Sequence, residues 1–264
     1  MAIADAFDAF LIDLDGVVYI GENLVPGSDE AVRDLFRRGK RVVFLTNNPE
    51  NSRRHYAAKL GGFGLDVEPS AVLTAGAATA QWIARHEVEA GTSTFVVGSE
   101  ALKDEVRDAG LEVVEGERGR EADVVVVGGH GALDYAELRI ASQAVRRGAA
   151  FYATGRDATF PMPDGSWPAT GAIVAAIETA SGHRAHAIGK PEPEMFRVAI
   201  EMLDSTARTV VVGDRLDSDI EGGRRAGLAT VLVLTGTSSE AAASIADPAP
   251  DFVVPDLKSL VTDP

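Results

Sequence analysis

Ala9-Phe10-Leu11-Ile12-Asp13-Leu14-Asp15-Gly16-Val17 is the stretch that decides how the rest of the chain is read. An apolar run too uniform to alternate reads as a strand buried on both faces, and this one ends in two aspartates two residues apart. That spacing sets both carboxylates on one side while the strand persists, and Gly16 permits the tight turn that brings backbone near a ligand. Outward from it, Val42–Thr46, Phe95–Gly98, Val124–Gly128, Ala150–Thr154, Val210–Gly213 and Val231–Leu234 read as further strands. Helical patterns fill the intervals: Asn51–Leu60, Ala75–Arg85, Glu100–Ala109, Tyr135–Arg147, Thr170–Ala180, Pro193–Met202 and Asp217–Ala226. The clearest helix follows Pro26-Gly27, with Ser28 as its cap, Asp29 and Glu30 in the first turn, and an apolar stripe of Val32, Leu35 and Phe36. Strands alternating with helices predict an α/β fold, a Rossmann-like doubly wound parallel sheet.

Composition narrows the function classes. With 264 residues, 45% of them hydrophobic and 12 of them proline, the chain is globular and long enough for one large domain or two modest ones. A net charge of −15 and a pI of about 4.7, without clustered Lys and Arg, argue against a nucleic-acid partner. The absence of cysteine excludes disulfides, zinc thiolates and a thiol nucleophile. The first residues lack a basic start followed by an apolar stretch, and no run approaches the roughly 18 apolar residues of a membrane span, so a soluble cytoplasmic protein is expected.

Three further motifs fall at or just after strand ends: Thr46-Asn47-Asn48, Gly189-Lys190-Pro191, and Gly213-Asp214-Arg215-Leu216-Asp217-Ser218-Asp219. In a doubly wound sheet, ligands bind beyond the carboxyl ends of the strands, so one pocket can collect Asp13, Thr46, Lys190 and Asp214. A carboxylate can act as a covalent nucleophile toward a phosphoryl group, and such transfer needs positioning and charge neutralisation. Of the Asp13 and Asp15 carboxylates, one can attack while the other manages protons. Magnesium takes oxygen ligands, which Asp13, Asp214 and the backbone carbonyl of Asp15 can supply, with Asp219 supporting from behind. Lys190 offers a fixed cation, and the Thr46 hydroxyl with the Asn47 and Asn48 amides can donate to phosphate oxygens. These residues bracket the chain, so the middle reads as an insertion: one domain over residues 1–90 and 187–264, the other over 91–186.

The motifs Asp13-Leu14-Asp15-Gly16-Val17, Leu45-Thr46-Asn47-Asn48, Gly189-Lys190-Pro191 and Gly213-Asp214 with Asp219 resemble the four ordered motifs of the haloacid-dehalogenase superfamily. The nearer likeness is to its branch of 4-nitrophenyl-phosphatase, phosphoglycolate-phosphatase and pyridoxal-phosphate-phosphatase type enzymes, whose large α/β cap lies between the second and third motifs. The resemblance implies a magnesium-dependent phosphatase of small phosphorylated metabolites. Asp13 would be the nucleophile and Asp15 the acid and base. Thr46, Asn47, Asn48 and Lys190 would hold phosphate, and Asp13, the Asp15 carbonyl and Asp214 the metal. It implies a cap over 91–186, and a homodimer formed through it. The glycine- and proline-rich stretch from Thr154 to Pro168, expected to be a long loop, is similar to the branch's substrate-specificity loop and would bring Asp157 and Phe160 to the substrate. Pyridoxal-phosphate phosphatases carry histidine where this chain has Phe160, which points to a smaller substrate such as glycerol 3-phosphate or phosphoglycolate.

Taken singly, each motif has a plainer reading: a DxD pair is more often a solvated turn, Lys190 a surface lysine, Asp214 a turn aspartate. Their order along the chain carries the inference. Asp217 reads as a cap for the helix after it, His183 and His186 as exposed, and Trp82 as core. Gly128-Gly129-His130-Gly131 lacks the spacing of a dinucleotide site. Competing functions are a phosphorylated signalling receiver, whose acceptor would follow a middle strand of a single small domain, and a non-catalytic sugar-phosphate binder. Transfer of the phosphoryl group to an alcohol is open within the same chemistry.

Overall fold

Phe10, Leu11 and Ile12 have no solvent exposure because the strand they form is the centre of a six-stranded sheet. The structure, a computed structural model, describes residues 2–129, 132–162, 164–203 and 207–262. In chain order the strands are β1 (Ala9–Asp13), β2 (Tyr19–Ile20), β3 (Asn23–Leu24), β4 (Arg41–Thr46), β5 (Val72–Thr74), β6 (Ser93–Val97) and β7 (Glu112–Val114). They continue as β8 (Val124–Val127), β9 (Ala150–Ala153), β10 (Thr159–Met162), β11 (Gly165–Pro168), β12 (His186–Ala187), β13 (Thr209–Gly213), β14 (Ala229–Val233) and β15 (Phe252–Val254). The α-helices are α1 (Ser28–Arg37), α2 (Arg53–Gly62), α3 (Ala75–His86), α4 (Glu100–Asp108), α5 (Tyr135–Arg146), α6 (Thr170–Ser181), α7 (Pro193–Glu201), α8 (Glu221–Arg225) and α9 (Glu240–Ile245). No helix among the described residues is long and apolar enough to cross a membrane.

Packing divides the chain into two units, residues 1–46, 53–73 and 190–264 in the first, 47–52 and 74–189 in the second. The first is built on the sheet β15-β14-β13-β1-β4-β5. Its central strand β1 pairs in parallel with β13 and β4, so that Ile12 lies between Val212 and Phe44. These two neighbours come from opposite ends of the chain. The strand order therefore reverses at β1, and a crevice opens at the carboxyl ends of β1 and β13. Phe10, Ile12, Leu35, Phe44, Leu60 and Val212 share one buried cluster, and each such side chain stabilises the fold by about 1.5–3 kcal/mol relative to exposure. Ser28 does not cap α1: Gly27 holds that position at φ 80°, and the Ser28 hydroxyl donates instead to Val18 O at 2.7 Å.

The second unit carries the parallel sheet β12-β9-β8-β6-β7. Val124 to Val127 have no exposure, and Val125 and Val127 join Phe95, Ile140, Val174 and Ile177 in its core. Residues 74–90, assigned by sequence to the first domain, pack here, α3 lying against α4. Part of the stretch expected to be a loop from Thr154 to Pro168 is a hairpin of β10 and β11, with Phe160 opposite Trp167. Prolines at 161 and 168 hide the strand signal there, since proline cannot donate to a ladder and sits on edge strands. Pro163 of that stretch, and His130 and Gly131 of the glycine-rich run, lie outside the described residues.

Candidate active site

Asp13 is the last residue of β1, 8% exposed, and its carboxylate accepts a hydrogen bond from the Lys190 ammonium. Lys190 Nζ also donates to Asp219 Oδ1 at 2.6 Å, and its side chain is 3% exposed. Asp214 follows β13, the strand beside β1, so the parallel register delivers it to the same edge as Asp13. A carboxylate oxygen from each of Asp13, Asp214 and Asp219 falls within 4.8 Å of the others, a separation that one cation can span.

Two glycines make this convergence possible. Gly16 has φ 87°, and a Cβ there would lie 2.6 Å from Asp214 Oδ2. Gly236 approaches from the loop after β14, where a Cβ would lie 2.1 Å from the same oxygen. That loop also holds Asp214 directly: Thr237 N donates to Oδ2 at 2.6 Å, and Thr235 Oγ1 donates to Gly16 O at 2.6 Å. Thr235-Gly236-Thr237 did not emerge from the sequence as part of the site. Its one signal is a run of small residues directly after the apolar run Val231–Leu234.

Charge makes the centre hungry for a cation. Once ionised, the three carboxyls outnumber the one ammonium by two negative charges in a nearly dry site, which a divalent ion with a preference for oxygen would balance. Burial pushes the Asp13 carboxyl up, to about 8; Lys190 pulls against that, while Asp219 and Asp214 add to it. Burial also raises Asp214, against the Thr237 backbone hydrogen bond. For Lys190, burial acts to strip the proton, but Asp13 and Asp219 outweigh it and the ammonium stays charged.

Asp15 stands just past the strand end with an open side to solvent. Partial burial raises its carboxyl, opposed by the Gly21 backbone, by Lys59 and by the Gly16 backbone. It is therefore a carboxyl suited to exchanging protons with a substrate or water. Thr46 ends β4, the other neighbour of β1, and is buried. Asn47, Asn48, Asp157 and Phe160 pack with the second unit. There Asn47 Nδ2 faces Asp157 Oδ2 at 3.4 Å, and Asn48 Oδ1 accepts from Glu50 N at 2.9 Å. Phe160 meets Trp167 edge-on at 6.3 Å. Arg156 is tied by its guanidinium to Glu178 at 2.8 Å and to Ala185 O at 2.6 Å.

Asp217 and Asp219, two residues apart, have opposite fates. A π turn over Leu216–Ile220 buries Asp219, where Arg215 N donates to its Oδ2 at 3.1 Å. Asp217 points outward, 74% exposed, and pairs with Arg215 rather than capping α8, whose cap position is Ile220. His183 and His186 are exposed, and half-buried Trp82 stacks on His86 at 4.2 Å.

Residues 10–112 match the family profile of haloacid dehalogenase-like hydrolases, and residues 187–260 a second profile described as HAD-hydrolase-like. A doubly wound sheet with an aspartate at its central strand end, an opposed lysine and an acidic trio defines a hydrolase of that class, and the chain belongs to the haloacid dehalogenase-like family. Chronophin of Mus musculus is 40% identical over 241 residues, 87% of this chain and 81% of its own. D-glycerol 3-phosphate phosphatase of Mycobacterium tuberculosis is 38% identical over 264 residues, 99% of this chain and 73% of its own. A glycerol phosphate phosphatase from Mycobacterium tuberculosis, solved in complex with magnesium, superposes with a TM-score of 0.90 at 36% identity, covering 98% of this chain and 78% of that one.

Proposed function

We propose that this chain is a magnesium-dependent phosphatase that hydrolyses small phosphomonoesters through an aspartyl-phosphate on Asp13. The observation that carries the reading is the placement of the Asp13 carboxylate against the Lys190 ammonium and within one cation's span of Asp214 and Asp219. Asp13 attacks phosphorus and the ester oxygen leaves. Asp15 protonates that oxygen and then takes a proton from the water that hydrolyses the aspartyl-phosphate. Lys190 holds Asp13 in line and offsets charge on the transferring group, joined by donors from Thr46, Asn47 and Asn48. Asp13, Asp214 and the Asp15 carbonyl would hold magnesium with Asp219 behind them, and the ion when bound supplies positive charge beside the phosphoryl oxygens.

Support for a three-carbon substrate comes from the relatives named D-glycerol 3-phosphate phosphatase and dihydroxyacetone phosphatase, and from an apolar Phe160 in the β10–β11 hairpin. In this reading the second unit is the cap, Asp157 and Phe160 bear on the substrate, and the chain pairs through its cap. Charged phosphate esters do not cross membranes unaided, which favours a cytoplasmic enzyme, and a net charge of −15 disfavours nucleic-acid and anionic membrane partners. The test is phosphate release from a panel of glycerol 3-phosphate, phosphoglycolate, pyridoxal phosphate and nucleotides, with and without magnesium. The reading expects metal-dependent turnover, highest on the three-carbon and two-carbon esters; absence of turnover on every ester would refute it.

A further inference from the structure

Directly after Asp15 the chain makes the small hairpin of β2 and β3, with Gly21-Glu22 at its tip. Two-residue strands have little stability of their own. The base is tied by Gly16 N to Tyr19 O at 2.7 Å and by Val25 N to Val18 O at 3.0 Å. The tip is tied from outside, by one side chain of α2. Lys59 Nζ donates to Gly21 O at 2.7 Å and to Glu22 Oε1 at 3.0 Å, and lies 4.1 Å from the centre of the Tyr19 ring. Its own side chain is 17% exposed and Tyr19 is buried, whereas Glu22 is 89% exposed, so the ion pair adds little to the clamp beside the Gly21 and Tyr19 contacts. Beneath it, Tyr56, Ala57 and Leu60 bury the same helix in the core, which makes α2 a rigid mount.

The hairpin in turn bears on the acid–base residue: Asp15 bridges to Tyr19 at the start of β2, and against the partial burial that raises the Asp15 carboxyl the Gly21 backbone hydrogen bond favours its charged form. We propose that Lys59 is a positioning residue of the reaction: by clamping Gly21 and the Tyr19 ring, it holds the hairpin in the place that orients the Asp15 carboxylate. Nothing in the four motifs identifies Lys59, which lies in the last turn of α2. The inference rests on the phosphatase reading above.

Orientation of a general acid matters in proportion to how much the leaving group needs a proton. An alkoxide such as that of glycerol 3-phosphate must be protonated as it departs, whereas 4-nitrophenolate departs with little help. The parameter kcat/KM reports the steps through the first phosphoryl transfer, so the ratio of kcat/KM for the two esters isolates the acid's contribution. In Lys59→Met this inference expects kcat/KM for glycerol 3-phosphate to fall about tenfold or more and that for 4-nitrophenyl phosphate to fall about twofold at most. Lys59→Arg, which can keep both the cation over Tyr19 and the bond to Gly21 O, should restore the wild-type ratio. Should Lys59→Met fail to fold, Lys59→Gln is measured in its place. Equal losses on both esters, no loss on either, or a ratio that arginine leaves unrestored would overturn the proposal. A wild-type enzyme that turns over neither ester in magnesium would instead sink the phosphatase reading itself.

Discussion

Replacing Lys190 by methionine keeps the side chain to within one atom of its length and removes the ammonium in the acidic centre described above. In the intact protein its Nζ bridges Asp13 and Asp219, the latter at 2.6 Å, and the three side chains are 3%, 11% and 2% exposed. At that burial the relevant magnitude is that of a broken interior pair, about 3–5 kcal/mol, because Asp219, and Asp13 wherever it is ionised, is left uncompensated. An exposed pair would give only about 0–1 kcal/mol. The measurement is urea unfolding of wild type and Lys190→Met without metal, near neutral pH. A cost of about 3–5 kcal/mol is expected, with Lys190→Met/Asp219→Asn recovering part of it, since the second change removes a charge with no partner. Going from about pH 9 down to about pH 6 should narrow the gap: Asp13 titrates at about 8 in the intact protein, and without the ammonium that pulls it down it takes up its proton at a higher pH still, so the variant sheds that buried charge first. A cost under about 1 kcal/mol, or a gap that widens over that fall in pH, would refute the buried-bridge reasoning.

Gly16→Ala forces a side chain into left-handed backbone at φ 87° and into Asp214 Oδ2. About 1–2 kcal/mol of stability should be lost, read by urea unfolding, and magnesium should no longer raise the melting temperature. Asp217→Ala should change stability by less than about 0.5 kcal/mol and leave turnover near wild type, whereas Asp219→Ala, which strips a partner from Lys190, should lose both. Magnesium should stabilise the protein more at about pH 8.5 than at about pH 5.5, as seen by thermal unfolding. The sign follows from folded-state carboxyls raised above their unfolded values: the stability that protonated Asp13 and Asp214 lend the metal-free protein is full at low pH and fades as pH rises, for Asp13 through about 8. A cation that needs these groups ionised gains over the same interval.

Much of the site was legible because its residues sit at strand ends that announce themselves by uniform apolar runs. β1, β4 and β13 fall within a residue or so of the expected bounds, and their ends deliver Asp13, Thr46 and Asp214. What sequence could not give was contact at a distance. Asp217 and Asp219 look alike in the chain, and only the π turn decides which one turns inward. Thr235-Gly236-Thr237 matters for where its backbone and the Thr235 hydroxyl lie, a placement that its residue types do not advertise. The strands β2, β3, β10 and β11 are too short or too rich in proline to show a period. Ser28 carried a correct capping chemistry that a competing acceptor, Val18 O, took over.

The central claim is that the Asp13 carboxylate itself receives the phosphoryl group. Acid quenching during turnover of a favoured ester in magnesium, followed by peptide mass spectrometry, tests it directly. The phosphoryl group should be found on Asp13 and be absent in Asp13→Asn, a variant expected to fold and to release no phosphate. Phosphoryl on another residue, or full phosphate release by Asp13→Asn, would contradict the account.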